Sequence, residues 1–484
     1  MCGIAGILHS EPSRPVDVRT LVAMAAIQHH RGPDGYGTSV DRGVGFSHAR
    51  LSIIDLKAER GRQPFTGANR SMMLTANGEF YDYQRLRADL TARGARFQSK
   101  SDSELVFHLY REFGLERMLT RLRGEFAFAL FDRDQDALYL VRDRFGIKPL
   151  YWAEFAGGLV FGSELKVLFA HPKVRRAFEP QGLYHQLMQT MVPGTTAFAG
   201  VHQVRPGHLL RVTRAGGRIR AEERCYWDID FPEAGAHAEV GDENVWIDGV
   251  RERLVEAVHL RLVADVPVGC YLSGGIDSCS IMGLAAAGSQ DPVRAFTIGF
   301  DSDEYDETPI ARQMAEATNA EQDVLRIEPA HLYDHFEETL WHTERTIYNT
   351  LGVAKLLMSR RVNEVGYKVV LTGEGSDELF AGYPAFRRDM YLHGLDTLGA
   401  RERTEWETLL TASNQQFRGA MLAEEAVEDA ALSARVGFTP SCLQPWLAAG
   451  HRQRALAQHA QGQDRSRDQA RRGQRRGRLQ RGHL

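Results

Sequence analysis

Residues 266–278 read VPVGCYLSGGIDS, and this stretch decides the class of the second half of the chain. Its apolar run from Val266 to Leu272 has the length of a strand, Ser273-Gly274-Gly275-Ile276-Asp277-Ser278 is a small-residue loop, and residues 280–287 read as a helix. Glycines let backbone N–H groups converge, hydroxyls add donors, and a helix N-terminus adds partial positive charge, a combination suited to pyrophosphate. No Lys follows the loop as in a Walker A motif, and the spacing is not GxGxxG. Outward from this stretch the pattern repeats. Residues 293–300 and 323–327 read as strands, 308–317 and 351–365 as helices, and 368–372 as a strand entering a second loop, Thr372-Gly373-Glu374-Gly375-Ser376-Asp377-Glu378. Strands alternating with helices predict an α/β doubly wound parallel sheet with ligands at the carboxyl ends of its strands, where both loops fall. Taken singly, the first loop could be a generic Gly-Ser turn and the second a solvated acidic loop with a helix cap.

The earlier part of the chain reads differently. Residues 45–54, 72–76, 126–132, 137–142 and 158–163 are β-rich and bounded by Gly, Asp or Asn, while residues 18–28, 83–93 and 103–113 read as helices. That mix predicts a layered α+β domain over residues 1–206, a connecting segment and linker over 207–242, and the α/β domain over 243–450. The linker assignment rests on residues 231–242, which are poor in apolar side chains. Residues 451–484 hold ten Arg, two Asp and no Lys, Phe, Tyr, Trp, Ile or Val, so they predict a disordered tail rather than a core. A basic arm for RNA or DNA is the alternative there.

Composition bounds the function. A chain of 484 residues has room for two or three domains of roughly 150 residues each. With 59 basic and 63 acidic side chains the net charge is −4, which argues against nucleic acid as a partner of the whole chain. No run approaches the ~20 apolar residues of a membrane span, and Glu11 to Pro15 interrupt any secretory leader. A cytoplasmic protein is expected. Cys2, Cys225, Cys270, Cys279 and Cys442 are scattered, odd in number and without a CxxC pair, which fits a reducing compartment and no structural zinc.

Cys2 directly follows the initiator Met, whose removal is expected before a small residue. Thiol and amine then share one residue, and an α-amino group of pKa about 8 can take the thiol proton. A lone Cys2 would be read as a small buried residue. Its company is Gly3-Ile4-Ala5-Gly6-Ile7, then Arg31-Gly32-Pro33-Asp34-Gly35, His48-Ala49-Arg50-Leu51-Ser52-Ile53-Ile54-Asp55, Asn77-Gly78-Glu79-Phe80-Tyr81 and Ser101-Asp102-Ser103-Glu104. Together and in this order these resemble the glutaminase domain of class II glutamine amidotransferases, across the first 150 or more residues. The resemblance implies an N-terminal-nucleophile fold, a layered β-sandwich with helices, in which Cys2 attacks glutamine. It further implies that Arg50 grips the glutamine carboxylate within a segment that includes Leu51, Ser52, Ile53 and Ile54. Asp102, with the Gly78 and Glu79 region, would receive the ammonium, and the Asn77 side chain and Gly78 N–H would form the oxyanion hole. Simpler readings stand beside these: Arg50 as a surface ion pair, Asn77-Gly78 as a type I′ turn, and Asp102 as a helix N-cap.

SGGxDS after a strand looks like the signature of ATP pyrophosphatases. With the acidic loop behind a glutaminase, the whole resembles glutamine-hydrolysing asparagine synthetases. That resemblance implies an acyl-adenylate made from ATP and a carboxylate, by default aspartate, then aminated with ammonia from glutamine to give amide, AMP, pyrophosphate and glutamate. Glu374 would act on the intermediate; Leu272 and Ile298 at their strand ends, Thr372, Gly373, and the loop residues Ser273, Gly274, Gly275, Asp277 and Ser278 would bind ATP. Carboxylates beside phosphate need a cation between them, so Asp277 and Asp377 are the Mg2+ candidates. A homodimer is expected. One departure stands out: after Tyr383 there is no segment resembling SxExRxPF, and the last Lys is Lys368. Arg does not simply replace Lys, so a truncated or frame-shifted end and an impaired synthetase beside an intact glutaminase are expected. The rival readings are an amidotransferase for another carboxylate, a β-lactam-synthetase-like cyclising enzyme, against which Cys2 argues, and a non-catalytic nucleic-acid-binding protein.

Overall fold

The computed structural model describes residues 1–56, 61–67, 71–231, 241–301, 306–394, 399–416, 427–448 and 450. The predicted tail at 451–484 and most of the predicted linker lie outside the described residues. Two units are distinguished, Met1–Gly373 and Glu374–Leu484.

The strands of the first unit are β1 (Gly3–His9), β2 (Gly35–Asp41), β3 (Val44–Arg50), β4 (Phe65–Thr66), β5 (Met72–Phe80), β6 (Gly124–Asp132), β7 (Ala137–Arg142), β8 (Tyr151–Phe155), β9 (Gly158–Gly162), β10 (Val201–Gln203), β11 (His208–Ala215), β12 (Arg218–Cys225), β13 (Val268–Tyr271), β14 (Arg294–Phe300), β15 (Glu321–Ile327) and β16 (Val369–Leu371). Its helices are α1 (Val18–Ile27), α2 (Tyr83–Ala92), α3 (Leu105–Arg121), α4 (Leu165–Leu168), α5 (Pro180–Leu187), α6 (Glu243–Arg261), α7 (Ile276–Gly288), α8 (Thr308–Ala317), α9 (Pro329–Asp334), α10 (Phe336–Thr343) and α11 (Leu351–Glu364).

Two antiparallel sheets, ordered β10-β8-β9-β1-β3-β2 and β12-β11-β7-β6-β5-β4, face each other. Between them Ile4, Leu8, Phe46 and Phe161 of the first pack on Met73, Phe131, Leu140 and Val212 of the second. Outside the first sheet lie α1 and α4, and outside the second lie α2 and α3, each over its own apolar cluster. The layers therefore run helix, sheet, sheet, helix. Strands buried on both faces explain the near-continuous apolar text of β1, β6 and β7. Each fully buried Leu, Ile or Phe there contributes roughly 1.5–3 kcal/mol.

The second sheet extends to Cys225, past the boundary predicted at residue 206. Strand β11 pairs with β7 along residues 209–213 and with β12 along 208–215. The signal was weak because β12 is an edge strand whose RIRAEERC text offers little apolar alternation.

The third sheet is wholly parallel, in the order β15-β14-β13-β16. Helices α6, α7 and α8 cover one face through Val258, Met282, Ala285, Ala311 and Ala315, and α11 covers the other through Met358 and Val362. This is the doubly wound arrangement. Strand order reverses between β13 and β16, the switch point where open α/β sheets leave a crevice for ligands.

In the second unit, α12 (Ser376–Phe380), α13 (Pro384–Asp389), α14 (Ala400–Gln416) and α15 (Ala430–Val436) are joined partly by the Asp389 carboxylate, which accepts the Ser441 N–H at 3.0 Å.

Candidate active site

Cys2 enters β1 at the rim where the two antiparallel sheets meet. Its Sγ accepts the Leu51 N–H at 3.3 Å, and its carbonyl accepts the Arg31 Nε–H at 3.0 Å. Burial pushes the thiol up; the neighbouring terminal ammonium and the Leu51 N–H pull the other way, and the Glu79 charge adds to the rise. Desolvation likewise pulls the Met1 amine down to about 5. Leu51 follows Arg50, the last residue of β3, so β3 and β1, paired antiparallel, bring the guanidinium and the thiol to one end.

The opposite wall is β5. Asn77 is buried, and neither its Nδ2 nor its Oδ1 has a hydrogen-bond partner among the described residues. Such an amide is costly unless something else meets it. Gly78 has φ +152°, and a Cβ there would lie 2.2 Å from the Glu125 carbonyl oxygen, so only glycine fits. The turn reading of Asn77-Gly78 is not what forms: both sit inside β5, paired with Ala127 and Phe126 of β6. The buried His48 ring reaches across from β3 to the Ala76 carbonyl at 3.2 Å. Burial holds that ring neutral, near a pKa of about 3.

Asp102 is buried at the start of a short 3-10 turn; its Oδ2 accepts the Phe80 N–H at 2.8 Å and its Oδ1 the Ser103 N–H at 2.7 Å. Ser101, not Asp102, is the N-cap of that turn. Burial lifts the Asp102 carboxyl to about 6 against the pull of those backbone bonds. Glu79 is raised as well, by burial and then by the Asp102 charge.

Arg50 Nη2 donates to the Asp55 carbonyl at 2.7 Å. The loop from Leu51 to Asp55 is held from several sides. The Ser52 N–H donates to Asp34 at 2.6 Å, the Asp55 N–H to Asp265 at 2.8 Å, and the Asp265 N–H to the Ile53 carbonyl at 3.0 Å. Asp34, Asp265 and Lys368, which donates to Asp34 at 2.6 Å, went unassigned in the sequence. Asp34 had a signal, its place in RGPDG, but Asp265 and Lys368 are more than 200 residues from the loop they hold and had none.

The second cluster sits at the switch point. Leu272 is buried just beyond β13, and Ser273 to Ser278 turn into α7. Within the loop Ser273 and Ser278 share a hydroxyl contact of 2.9 Å, and the Gly275 N–H donates to Ser273 Oγ at 3.2 Å. The Gly274 N–H donates to Glu307 at 3.1 Å, so a carboxylate already uses one of the convergent N–H groups. Thr372 and Gly373 follow β16, and a Cβ on Gly373 would lie 2.7 Å from Asp277 Cβ, so Gly373 packs directly on the Ser273–Ser278 loop. Ile298 lies two residues short of the β14 end and packs toward the Phe296 cluster beneath α11 rather than ending its strand. Glu374 and Asp377 belong to the second unit, where Asp377 lies in the first turn of α12 and its carbonyl accepts the Gly382 N–H at 3.0 Å. Among the described residues no group of three or more His, Cys, Asp or Glu side chains is gathered that could hold a metal, and no helix is long and apolar enough to cross a membrane.

Two family models match the chain: a glutamine amidotransferase domain over residues 1–227 and asparagine synthase over residues 249–480. The chain is 36% identical over 444 residues to amidase chyE of Penicillium rubens, covering 86% of this chain, and 37% identical over 453 residues to amidase chry2 of Gibberella zeae, covering 88%. It is 32% identical over 404 residues, 80% of its length, to asparagine synthetase [glutamine-hydrolyzing] 3 of Bacillus subtilis. It spans 64% of the length of each of these relatives.

Proposed function

Because the chain belongs to the family of glutamine-hydrolysing asparagine synthetases, we propose that it is a glutamine-dependent amide synthetase with Cys2 as its nucleophile. With Met1 removed, the Cys2 amine takes the thiol proton and the thiolate attacks the side-chain amide carbon of glutamine. Charge developing on the amide oxygen meets the Asn77 Nδ2–H and the Gly78 N–H. The tetrahedral adduct collapses to a thioester and ammonia, and water opens the thioester to glutamate. Arg50 takes the glutamine carboxylate as a two-pronged donor, and Asp102, with the Gly78 carbonyl and Glu79, takes the ammonium. The observation that carries this reading is the buried Asn77 amide without a partner, since a substrate oxygen would satisfy it.

At the switch point, the Ser273–Ser278 loop would hold the phosphates of ATP, and Leu272, Thr372 and Gly373 would line the adenosine. Ile298 would contribute from within β14. The acceptor carboxylate attacks the α-phosphate, pyrophosphate leaves, ammonia displaces AMP from the acyl-adenylate, and Glu374 assists at that carbon. Mg2+ at nucleotides is held by one or two carboxylates plus phosphate oxygens rather than by a protein cage. Asp277 and Asp377 are two carboxylates of that kind, and the cation would neutralise phosphate charge. Ammonia handed directly from one site to the other stays deprotonated and concentrated.

Aspartate is the acceptor implied by the family. The higher identity to the two fungal amidases than to the Bacillus synthetase favours a second reading, a different carboxylate of a biosynthetic pathway. Glutamate, AMP and amide product assayed in parallel for the native chain and Cys2→Ala test the whole scheme. Amide made by Cys2→Ala from ammonium but not from glutamine would support both sites; no AMP with any carboxylate would leave a hydrolase alone, the alternative of a glutaminase beside an impaired synthetase. Pyrophosphate release across a panel of acceptors separates aspartate from its rivals.

A further inference from the structure

Glu344 lies far from Cys2 in sequence and belongs to the parallel-sheet half, at the C-cap of α10 with φ +55°. Its carboxylate nevertheless reaches into the first layer. It accepts the backbone N–H groups of Leu165 at 2.6 Å and Lys166 at 2.7 Å, and pairs with Lys166 Nζ at 3.2 Å. Lys166 Nζ also pairs with Glu164 at 2.8 Å. The other oxygen of Glu164 accepts from Arg31 Nη1 at 3.1 Å and contacts His30 Nε2 at 2.9 Å. Arg31 closes the chain by donating from Nε to the Cys2 carbonyl at 3.0 Å. The side chains of Arg31, Glu164, Lys166 and Glu344 are at most 11% exposed, so water does not screen these links.

Resting on the reading of Cys2 as the glutamine nucleophile, we propose that Glu344 is a positioning residue for that nucleophile, acting through Lys166, Glu164 and Arg31 on the Cys2 main chain. Arg31 fixes the carbonyl of the nucleophilic residue and thereby the rotation of its thiol and amine about the chain. Glu344 fixes the start of α4, and with it the Glu164 carboxylate that orients Arg31. Nothing in this relay touches Arg50, Asn77 or Asp102, which would hold glutamine. The relay therefore governs the attack and not the affinity.

The test is steady-state glutamine hydrolysis by the full chain as Glu344→Ala, Lys166→Met and the double variant, together with the rate at which iodoacetamide alkylates Cys2, read by peptide mass mapping. Each single variant is expected to lower kcat roughly tenfold to a hundredfold, as misplacement by about 1 Å does, with KM within about twofold. Cys2 alkylation should change in step, and the double variant should be little worse than either single one. An unchanged kcat, a loss confined to KM, or two fully multiplying losses would overturn the proposal. Should Glu344→Ala not fold, Lys166→Met alone decides by the same split. A native chain that hydrolyses no glutamine would fail the underlying reading, while the alkylation rates would still judge the relay.

Discussion

The Asn77 amide is the most exposed point of the proposed chemistry to experiment. Asn77→Ala removes one oxyanion donor and should lower kcat for glutamine hydrolysis about a hundredfold to a thousandfold, read as glutamate release at saturating glutamine. A smaller loss would mean that Gly78 alone meets the charge. Glu164 carries the second prediction at this scale. Burial alone would raise its carboxyl, but the His30 bond and the Arg31 and Lys166 charges outweigh burial and pull it to about 2. A carboxyl lowered on folding stabilises fully above its unfolded value near 4.5, and that stability drains away as pH falls through the folded value. Urea unfolding between pH 6 and 2 should therefore cost the native chain on the order of 3 kcal/mol more than Glu164→Gln. Equal pH slopes for the two would deny the pairing. Cys2, Arg50, Asn77 and Asp102 stand out as candidates in the sequence because each sits in a short motif whose chemistry can be named. Glu164 does not, because its partners His30 and Arg31 are more than 130 residues away.

At the level of elements, the reading of Asn77-Gly78 as a hairpin turn failed for a physical reason. Nine consecutive residues of β5 pair with β6, and the glycine is needed for close approach of a neighbouring carbonyl, not for a reversal of the chain. Local turn propensity is worth less than a central strand's ladder. Elements with strong internal periodicity were placed nearly residue by residue: β7 at 137–142 and α8 at 308–317 stand as read. The elements that were misjudged, β11 with β12 and the strand position of Ile298, owe their place to neighbours. Gly373 supplies the prediction here. A Cβ at this position would enter contact distance of Asp277 and the Ser278 N–H, so Gly373→Ala should wedge the two switch-point loops apart. ATP-dependent pyrophosphate release should fall at least tenfold, an opening of the kind overpacking by about 1–3 kcal/mol produces. Glutamine hydrolysis should be unchanged, and pyrophosphate release at the native rate would show that the loops need not touch.

Across the first unit as a whole, two tethers run from the parallel sheet to the rim of Cys2, and they predict different kinetic signatures. Asp265 holds the Asp55 N–H, and the Asp55 carbonyl holds Arg50. Losing a charge-assisted bond of this kind costs about 1.5 kcal/mol or more, so Asp265→Ala should raise KM for glutamine roughly tenfold with kcat little changed. Glu344→Ala should do the reverse. Swapped signatures would show that the tethers do not divide binding from attack in this way. The sequence by itself determined the kind of each half, because hydrophobic periodicity and glycine-rich motifs are local and need only a dozen residues to be read. For the same reason it singled out Cys2, the Ser273–Ser278 loop and the Thr372–Glu378 loop as candidates. Only the tertiary structure decided that β11 and β12 complete the second sheet, that Gly373 packs on the Ser273–Ser278 loop at a strand-order reversal, and that Asp34, Asp265, Lys368 and Glu344 hold the rim around Cys2. Those pairings join residues tens to hundreds of positions apart, and a single buried charge carries no mark in the chain of which distant partner will neutralise it.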